Sequence, residues 1–557
     1  MIEQLANELD SNNTTNENDQ NTRKLDPYSG KCQFSFFIPF KVLLHSYFSN
    51  PEFRFQKYLF HRFLFHNYLV GFNILNTIIG SGIIGLPYAI KEAGFWLGLF
   101  LIVFVGVLSY FSLSILIQSG TKLDSFDFKS NVKRAMGKPG EFLLSFALIF
   151  NGFGSCITYL IISGDVLQPF VSIILPEKYH MFATRTAVIL LVSFFLILPL
   201  LFFDSLDPLA QYSTIAVLII PVVIIIIVFR SPIYLARNTI VLNTAANQYQ
   251  QFLPPFDIIG KNPLPALGVI AFALMCTQTA YQNFNTLDKS INKGWKIASG
   301  FAIIFSVIIY IMFAAMGYLI FGYDVEPNFL NNFPYTDNWI NLSRLLMAVS
   351  ILLTYPMQFY PMREIISSLT LDNKESENSS TDMIETNQNI TQPNSTLARP
   401  SSTRNFVSKC FYLVFGRNYG YNILTMAIFG VTVSISLLVK NLGLVYELIG
   451  VAAASLLAFV LPAGIYIAVN SPYYTKLLYL LLLGPIRTSS SISESQPLLG
   501  TLESAQNGLP NSDIDEDVIV LNEPYCTIVS VFMLVFGLVV FLIGTYTTLM
   551  KMQNEGA

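Results

Sequence analysis

The sequence predicts an all-α polytopic membrane protein with about eleven transmembrane helices. Three observations lead there. Of 557 residues, 53% are hydrophobic and only 12% charged, against about 25% charged in soluble domains. Apolar stretches of about 20 residues, enough to cross a hydrocarbon core about 30 Å thick, recur along the chain. The material between them is dominated by Asn, Ser, Thr, Glu and Gln and is too polar to build a separate core.

Taken in order, the apolar stretches lie near 68–90, 94–118, 142–171, 184–203, 209–229, 264–287, 298–322, 342–369, 422–439, 444–469 and 525–549. They divide the chain into a polar N-terminal tail (1–65), spans 1–8 (66–370), a polar insert expected to be disordered (371–404), spans 9–10 (405–470), a polar loop (471–524), and span 11 with the C-terminus (525–557). The tract 477-LLYLLLLGPI-486 is too short to cross and is expected to lie at the interface. Residues 1–30 contain no apolar h-region, so no cleavable signal peptide is expected.

Lys and Arg set the orientation. With a cytosolic N-terminus, cytosolic segments receive Arg54, Lys57 and Arg62 before span 1, five cations between Lys122 and Lys138, Lys289, Lys293 and Lys296 after span 6, and a cluster flanking the insert. The far side receives fewer, and the loop 323–341, with Asp324, Glu326 and Asp337, has none. Eleven spans, with the N-terminus in and the C-terminus out, fit throughout; one more or one fewer reverses every downstream side. The sequons at Asn378, Asn389 and Asn394 then fall on the cytosolic side, where glycosylation does not occur. Asn341 starts a fourth, close to the membrane.

Several function classes lose support. A net charge of −3 without a basic-aromatic patch gives no sign of nucleic-acid binding. The five cysteines are scattered, without metal or redox spacing; Cys156, Cys276 and Cys526, in apolar runs, read as small buried thiols. No span carries a His/Asp cluster, paired catalytic carboxylates or a nucleophile with its base, so enzymatic activity is not expected. A transporter, an amino-acid-binding sensor with little flux, and an ion channel stay open.

Span 1 contains 73-NILNTIIGSGIIGLPYAI-90, with Asn73, Asn76, Gly80, Ser81, Gly82, Gly85 and Pro87 inside one apolar stretch. An unwound backbone at membrane depth is tolerated only when buried in protein or lining a cavity. The cluster therefore predicts a broken helix whose N–H groups near Gly80–Gly82 receive a carboxylate and whose nearby carbonyls coordinate a cation. A lone Gly-x-Gly is more simply read as close helix packing; amides in hydrocarbon need partners that packing does not supply. An inverted repeat requires a second break five helices later. Span 6, 264-LPALGVIAFALMCTQTAYQNFNTL-287, turns from apolar to amide-rich at Cys276, Thr277, Gln278 and Thr279. Asp165 and Glu447 are intramembrane acids, which usually face a cavity or a partner. A structural role is expected for Glu447; for Asp165 both pairing and proton binding stay open.

The segments 72-FNILNTIIGSGIIGLPYAIKEAGF-95, 159-YLIISGDVLQPF-170, 353-LTYPMQFYPMREII-366 and 445-VYELIGVAAASLLAFVLPAGIY-466 resemble spans 1, 3, 8 and 10 of the amino acid/auxin permease superfamily, specifically its sodium-coupled neutral amino acid transporters and their vacuolar relatives. The resemblance implies a leucine-transporter-type 5+5 inverted repeat plus one helix, with spans 1 and 6 discontinuous. It implies secondary transport of a neutral amino acid with Na+ or H+. The substrate would bind at Gly80, Ser81 and Gly82, facing Thr277 and Thr279 of span 6. Na+ would lie between Asn76 of span 1 and Thr354 of span 8, with Ser350 about one turn earlier. Thr354 has a simpler alternative, a hydroxyl bonded to its own helix. The chain departs from many members at Thr277, where they carry histidine after the cysteine, and 230–263 lacks their cysteine pair. No histidine falls in a predicted span, so no histidine proton relay is expected.

The loop 471–524 contains 494-ESQPLL-499. The spacing of Glu494, Leu498 and Leu499 resembles an acidic dileucine signal read by a sorting adaptor. It predicts a lysosomal, vacuolar or endosomal membrane, with the plasma membrane as the alternative.

Overall fold

The computed structural model describes residues 70–174, 183–202, 218–236, 256–287, 294–378, 419–439, 441–470 and 523–556, all within one unit, Phe63–Ala557. The N-terminal tail, most of the 371–404 insert, and the loop containing Glu494, Leu498 and Leu499 lie outside these residues.

The described secondary structure is helical; among the described residues eight helices, or nine with the bent pair of span 1, are long and apolar enough to cross a membrane, and the stretches predicted as spans 4 and 9 are shorter apolar helices. Span 1 is two pieces, Val70–Ile78 and Ser81–Ala93, bent by 45°. Spans 2 and 3 are Phe95–Lys122 and Phe128–Ile174. Span 4 (Arg185–Leu201) and the apolar part of span 9 (Asn422–Leu438) are short, and span 5 is Leu218–Ala236. Span 6 occupies Pro263–Asn285, span 7 Gly294–Phe321, span 8 Asn338–Asn378, span 10 Leu442–Asn470 and span 11 Tyr525–Asn554. Several boundaries differ from expectation: span 5 runs to Ala236 rather than 229 and span 11 to Asn554 rather than 549. Helix starts at Phe128 rather than 142, because a polar helix precedes the membrane segment; the two join at Gly137, whose φ of 66° breaks the helical path. Span 8 runs on through Asn378, into the polar insert.

Span 10 is apolar on every side and is enclosed along nearly its whole length, whereas spans 5 and 11 are buried on one side only. Its approach to span 6 is a backbone contact. A Cβ added at Gly450 would fall 1.8 Å from the Gly268 carbonyl oxygen, and one at Gly268 would fall 2.9 Å from the Glu447 oxygen. Small residues let membrane helices approach this closely, where dispersion and packing replace the hydrophobic drive. Span 10 also carries two π-helical turns, Gly450–Ala454 and Leu456–Val460, beginning at that contact.

The termini of other spans are fixed by polar bonds. At Gly94, with φ of 92°, the chain turns from span 1 into span 2. The strip before span 6 docks there, with Gly260 N donating to Ala93 O at 2.6 Å and Asn262 N to Glu92 O at 2.9 Å. Asp337 caps span 8, accepting from the Trp339 N–H at 2.9 Å, and takes Arg230 and Tyr234 of span 5 at 2.7 Å each. Burial alone raises its carboxyl, but the bonds from Tyr234, Arg230 and the backbone outweigh this and hold it below its ordinary range. Buried Arg344 donates to the carbonyls of Leu330 and Phe333, tying the preceding loop to span 8. It also donates to Asn341 Oδ1, so the sequon asparagine is already engaged.

The last span reports the parity of the bundle. Lys551, at the end of span 11, lies 3.4 Å from Glu92, at the end of span 1. Both spans therefore end on the same face, which requires an odd number of crossings between the start of span 1 and the end of span 11.

Gly450→Ala should force spans 6 and 10 apart and lower stability by about 1–3 kcal/mol, the usual cost of overpacking. Gly430→Ala, on span 9 where an added Cβ meets nothing within 4 Å, is the control. Melting midpoints of the two variants in detergent check this; equal midpoints contradict it.

Candidate functional site

The residues that break span 1 are Ile79 and Gly80. Gly80 is extended (φ −118°, ψ −159°), and the second half restarts as a 3₁₀ turn, Ser81–Gly85, with no side chain capping it. A helix start without a cap presents N–H groups that need an acceptor and carries partial positive charge. An added Cβ at Gly80 would meet nothing closer than 4.0 Å, so space is open beside it. Gly82 is different. Its Cβ would lie 2.9 Å from the Ala273 Cα of span 6, so Gly82 serves the contact between the two broken helices.

Span 6 breaks opposite. Its first helix ends at Ala273, a 3₁₀ turn covers Thr277–Thr279, and helix resumes over Ala280–Asn285. The predicted second interruption is therefore present, at the level where Gly82 meets Ala273. Thr277 is buried and donates to the Leu457 carbonyl of span 10 at 2.9 Å; Thr279 donates to the Cys276 carbonyl at 3.2 Å.

Backbone carbonyls at both breaks are taken by hydroxyls from other spans. Tyr310 of span 7, wholly buried, places its hydroxyl 2.6 Å from Ile78 O and 3.0 Å from Ala273 O. One hydroxyl thus contacts both breaks. Tyr446 of span 10 donates to Ser81 O at 3.3 Å, Ser109 of span 2 donates to Leu274 O at 3.5 Å, and Tyr159 of span 3 interacts with the Ser81 side chain. These four residues carry no charge. Sequence reasoning missed all of them, because a tyrosine or serine within an apolar run looks like any core residue; only the location of the break gives them meaning.

Of the predicted ion ligands, Asn76 is half-buried in the first half of span 1 and makes no side-chain hydrogen bond among the described residues. Thr354 donates to Ser350 O of its own helix at 2.5 Å. That bond uses its proton and leaves oxygen lone pairs. No direct bond joins Asn76 to Thr354 among the described residues.

A family model described as transmembrane amino acid transporter protein matches residues 69–481. The chain belongs to this family. Among relatives of this transporter, the Rattus norvegicus protein classed as sodium-coupled neutral amino acid transporter 11 is 28% identical over 400 residues, covering 72% of this chain and 77% of that one. Vacuolar amino acid transporter 2 of Saccharomyces cerevisiae is 28% identical over 395 residues, covering 70% and 74%. A crystal structure of the Eremococcus coleocola manganese transporter aligns at a TM-score of 0.38 and 12% identity, over 88% of this chain and 96% of that one.

Both intramembrane acids of this transporter have cationic partners. Asp165 pairs with Arg185 Nε at 2.7 Å, and Asn328 donates to its other oxygen at 3.5 Å, joining spans 3 and 4 to the loop before span 8. Glu447 is fully buried and pairs with Lys551 at 2.7 Å. The partner of Asp165 was within sight of the sequence, 20 residues on; Lys551 is 104 residues from Glu447, and nothing local signals it.

Tyr310→Phe keeps the ring and removes the hydroxyl that both breaks share. Ile78 O keeps the Gly80 N–H at 2.8 Å, but Ala273 O loses its hydroxyl donor; a buried carbonyl without a donor costs about 1–3 kcal/mol, so the melting midpoint should fall. Unchanged stability would mean that the hydroxyl supports neither break.

Proposed function

We propose that this family member is a secondary active transporter of neutral L-amino acids, coupled to Na+ or H+, with the substrate held at the break in span 1. The observation that carries this reading is the uncapped helix start at Ser81 beside open space at Gly80, facing a second broken helix. An α-carboxylate fits N–H groups at a helix start, where the dipole favours negative charge. Carbonyls and hydroxyls supply acceptors for an α-ammonium. The side chains bonded at the breaks, Tyr159, Tyr310, Tyr446 and Ser109, are uncharged, which suits a substrate whose own side chain is uncharged. Gly80 and Ser81 would contact the substrate. Gly82, Thr277 and Thr279 would shape the site from behind, through their contacts within spans 6 and 10.

For Na+, Asn76 offers an amide oxygen with no competing bond among the described residues, and Thr354 and Ser350 offer oxygens from span 8. A hard cation takes such oxygens in place of hydration. The test is uptake by purified protein in liposomes, with a panel of amino acids under imposed Na+ or proton gradients. Accumulation driven by one gradient is expected, and Asn76→Ala should abolish the part that depends on Na+. Binding without uptake would instead make the protein a sensor. Uptake of Asn76→Ala with its Na+ dependence intact would remove Asn76 from the ion site.

A vacuolar or lysosomal membrane is the location favoured by 494-ESQPLL-499 and by the similarity to vacuolar amino acid transporters. The N-terminus would be cytosolic. Changing Leu498 and Leu499 to Ala should shift the protein to the cell surface, as seen by surface labelling; an unchanged distribution excludes the signal.

A further inference from the structure

Away from the breaks, where spans 1 and 11 end, five side chains meet. Lys551 Nζ lies 2.7 Å from Glu447 Oε1, 3.4 Å from Glu92 Oε2 and 3.1 Å from the Tyr88 hydroxyl. Tyr88 donates to Glu447 Oε1 at 3.1 Å, and Asn262 Nδ2 donates to Glu92 Oε2 at 2.6 Å. The groups come from the second half of span 1, the strip before span 6, span 10 and span 11. Span 6 itself adds no charge there, since Gly268 faces the Glu447 backbone. Two further cations lie on these elements. Lys91 lies over the Tyr88 ring and directs its ammonium to Val325 O at 3.0 Å, and Lys261, between Gly260 and Asn262 of the strip, is exposed.

The charge in this cluster does not balance. Within hydrogen-bond distance two carboxylates face one ammonium, and Glu447 is 0% exposed. An unpaired buried charge is unfavourable, and one added proton neutralises the group. The position for that proton is also visible. Glu447 Oε1 already accepts from Lys551 and Tyr88, whereas Oε2 is buried without a hydrogen-bond partner among the described residues. Protonation at Oε2 leaves both bonds to Oε1 in place. Glu92 and Lys551, with side chains 13% and 14% exposed, give the cluster its contact with solvent.

We propose that Glu447, with Glu92 joined to it through Lys551, forms an exchangeable proton-binding site that holds one proton on Glu447 Oε2. Its role in coupling rests on the transport reading above; the binding of the proton does not. Tyr88 and Glu92 belong to the same helical piece, Ser81–Ala93, whose first turn is the proposed substrate site. With Oε2 protonated, Lys551 keeps its hydrogen bond to Glu447 Oε1 but faces a single charge, that of Glu92, and the attraction between spans 10 and 11 weakens. Loss of the proton restores it. Substrate and proton therefore act on opposite ends of one short helix, the arrangement by which two ligands bias a common movement.

The test is titration of the full-length purified protein, following proton uptake potentiometrically and the protonated carboxyl by infrared difference spectroscopy. Wild type should show one exchangeable buried carboxyl that is missing from Glu447→Gln. Glu92→Gln should lose it too, because either change removes the surplus charge; this variant also serves if Glu447→Gln fails to fold. Lys551→Met should hold the proton to higher pH, by about 1–3 units, the usual effect of removing an opposite charge. Titrations of Glu447→Gln and Glu92→Gln identical to wild type overturn the proposal, as does a Lys551→Met titration that stays put or moves to lower pH. Liposome uptake separates the two readings. The carboxyl signal without uptake keeps the site and removes transport; uptake without the signal does the reverse.

Discussion

Where a helix unwinds inside a bilayer, the carbonyls it releases have no water to turn to and need donors from the protein. Spans 1 and 6 both unwind, and both bring a carbonyl to the single hydroxyl of Tyr310. Much of the bundle core can be read from that requirement. Span 7 must run behind both breaks to deliver Tyr310, span 10 must pass close enough for Tyr446 to reach Ser81, and span 2 must bring Ser109 to Leu274. The Gly80 N–H turns back to Ile78 O and the Ile83 N–H to Gly80 O, so the N–H groups at the break without an acceptor among the described residues are those of Ser81 and Gly82. The polarity of the site is therefore set by which half of the backbone's hydrogen bonding the protein satisfies itself.

Span 10 is where tight packing and polar chemistry meet. Its glycine contact with span 6 fixes the distance between them, and its π-helical turns shift the face it presents over the following residues. The Leu457 carbonyl, within the second of these turns, accepts from Thr277. One span thus supports both breaks, Thr277 on one side and Ser81 on the other. The residue after Tyr446 is the buried Glu447. A helix enclosed on all sides transmits displacement well, because close-packed interiors have little room to absorb it.

The break in span 1 was legible in the sequence because it is written locally, in Gly80, Gly82 and the two asparagines. The break in span 6 was legible through the change from apolar to amide-rich residues near Thr277. An odd number of spans was legible from the Lys/Arg asymmetry, and the approach of Lys551 to Glu92 agrees with it. Roles assigned by proximity were not legible. Gly82 looks like part of the same polar break as Gly80, but packs on Ala273. Tyr310 looks like core until the two carbonyls in front of it are known. Thr354 offers an oxygen in either setting, and only the structure shows its proton on Ser350 O. Sequence patterns record what a residue needs along its own helix, not which distant helix will meet that need.

The ion pair between the first and last spans also bears on how the protein is made. Glu92 enters the membrane early in synthesis, and its ammonium partner lies 459 residues later. Glu447 follows and is buried outright in the finished bundle. Until span 11 is delivered, neither acid has Lys551 to compensate it, so the partly assembled bundle must keep this corner wet or protonated. Closure of the corner is thus a late event of biogenesis, and a chain stopped before Lys551 would present quality-control machinery with two uncompensated carboxyls at the membrane surface.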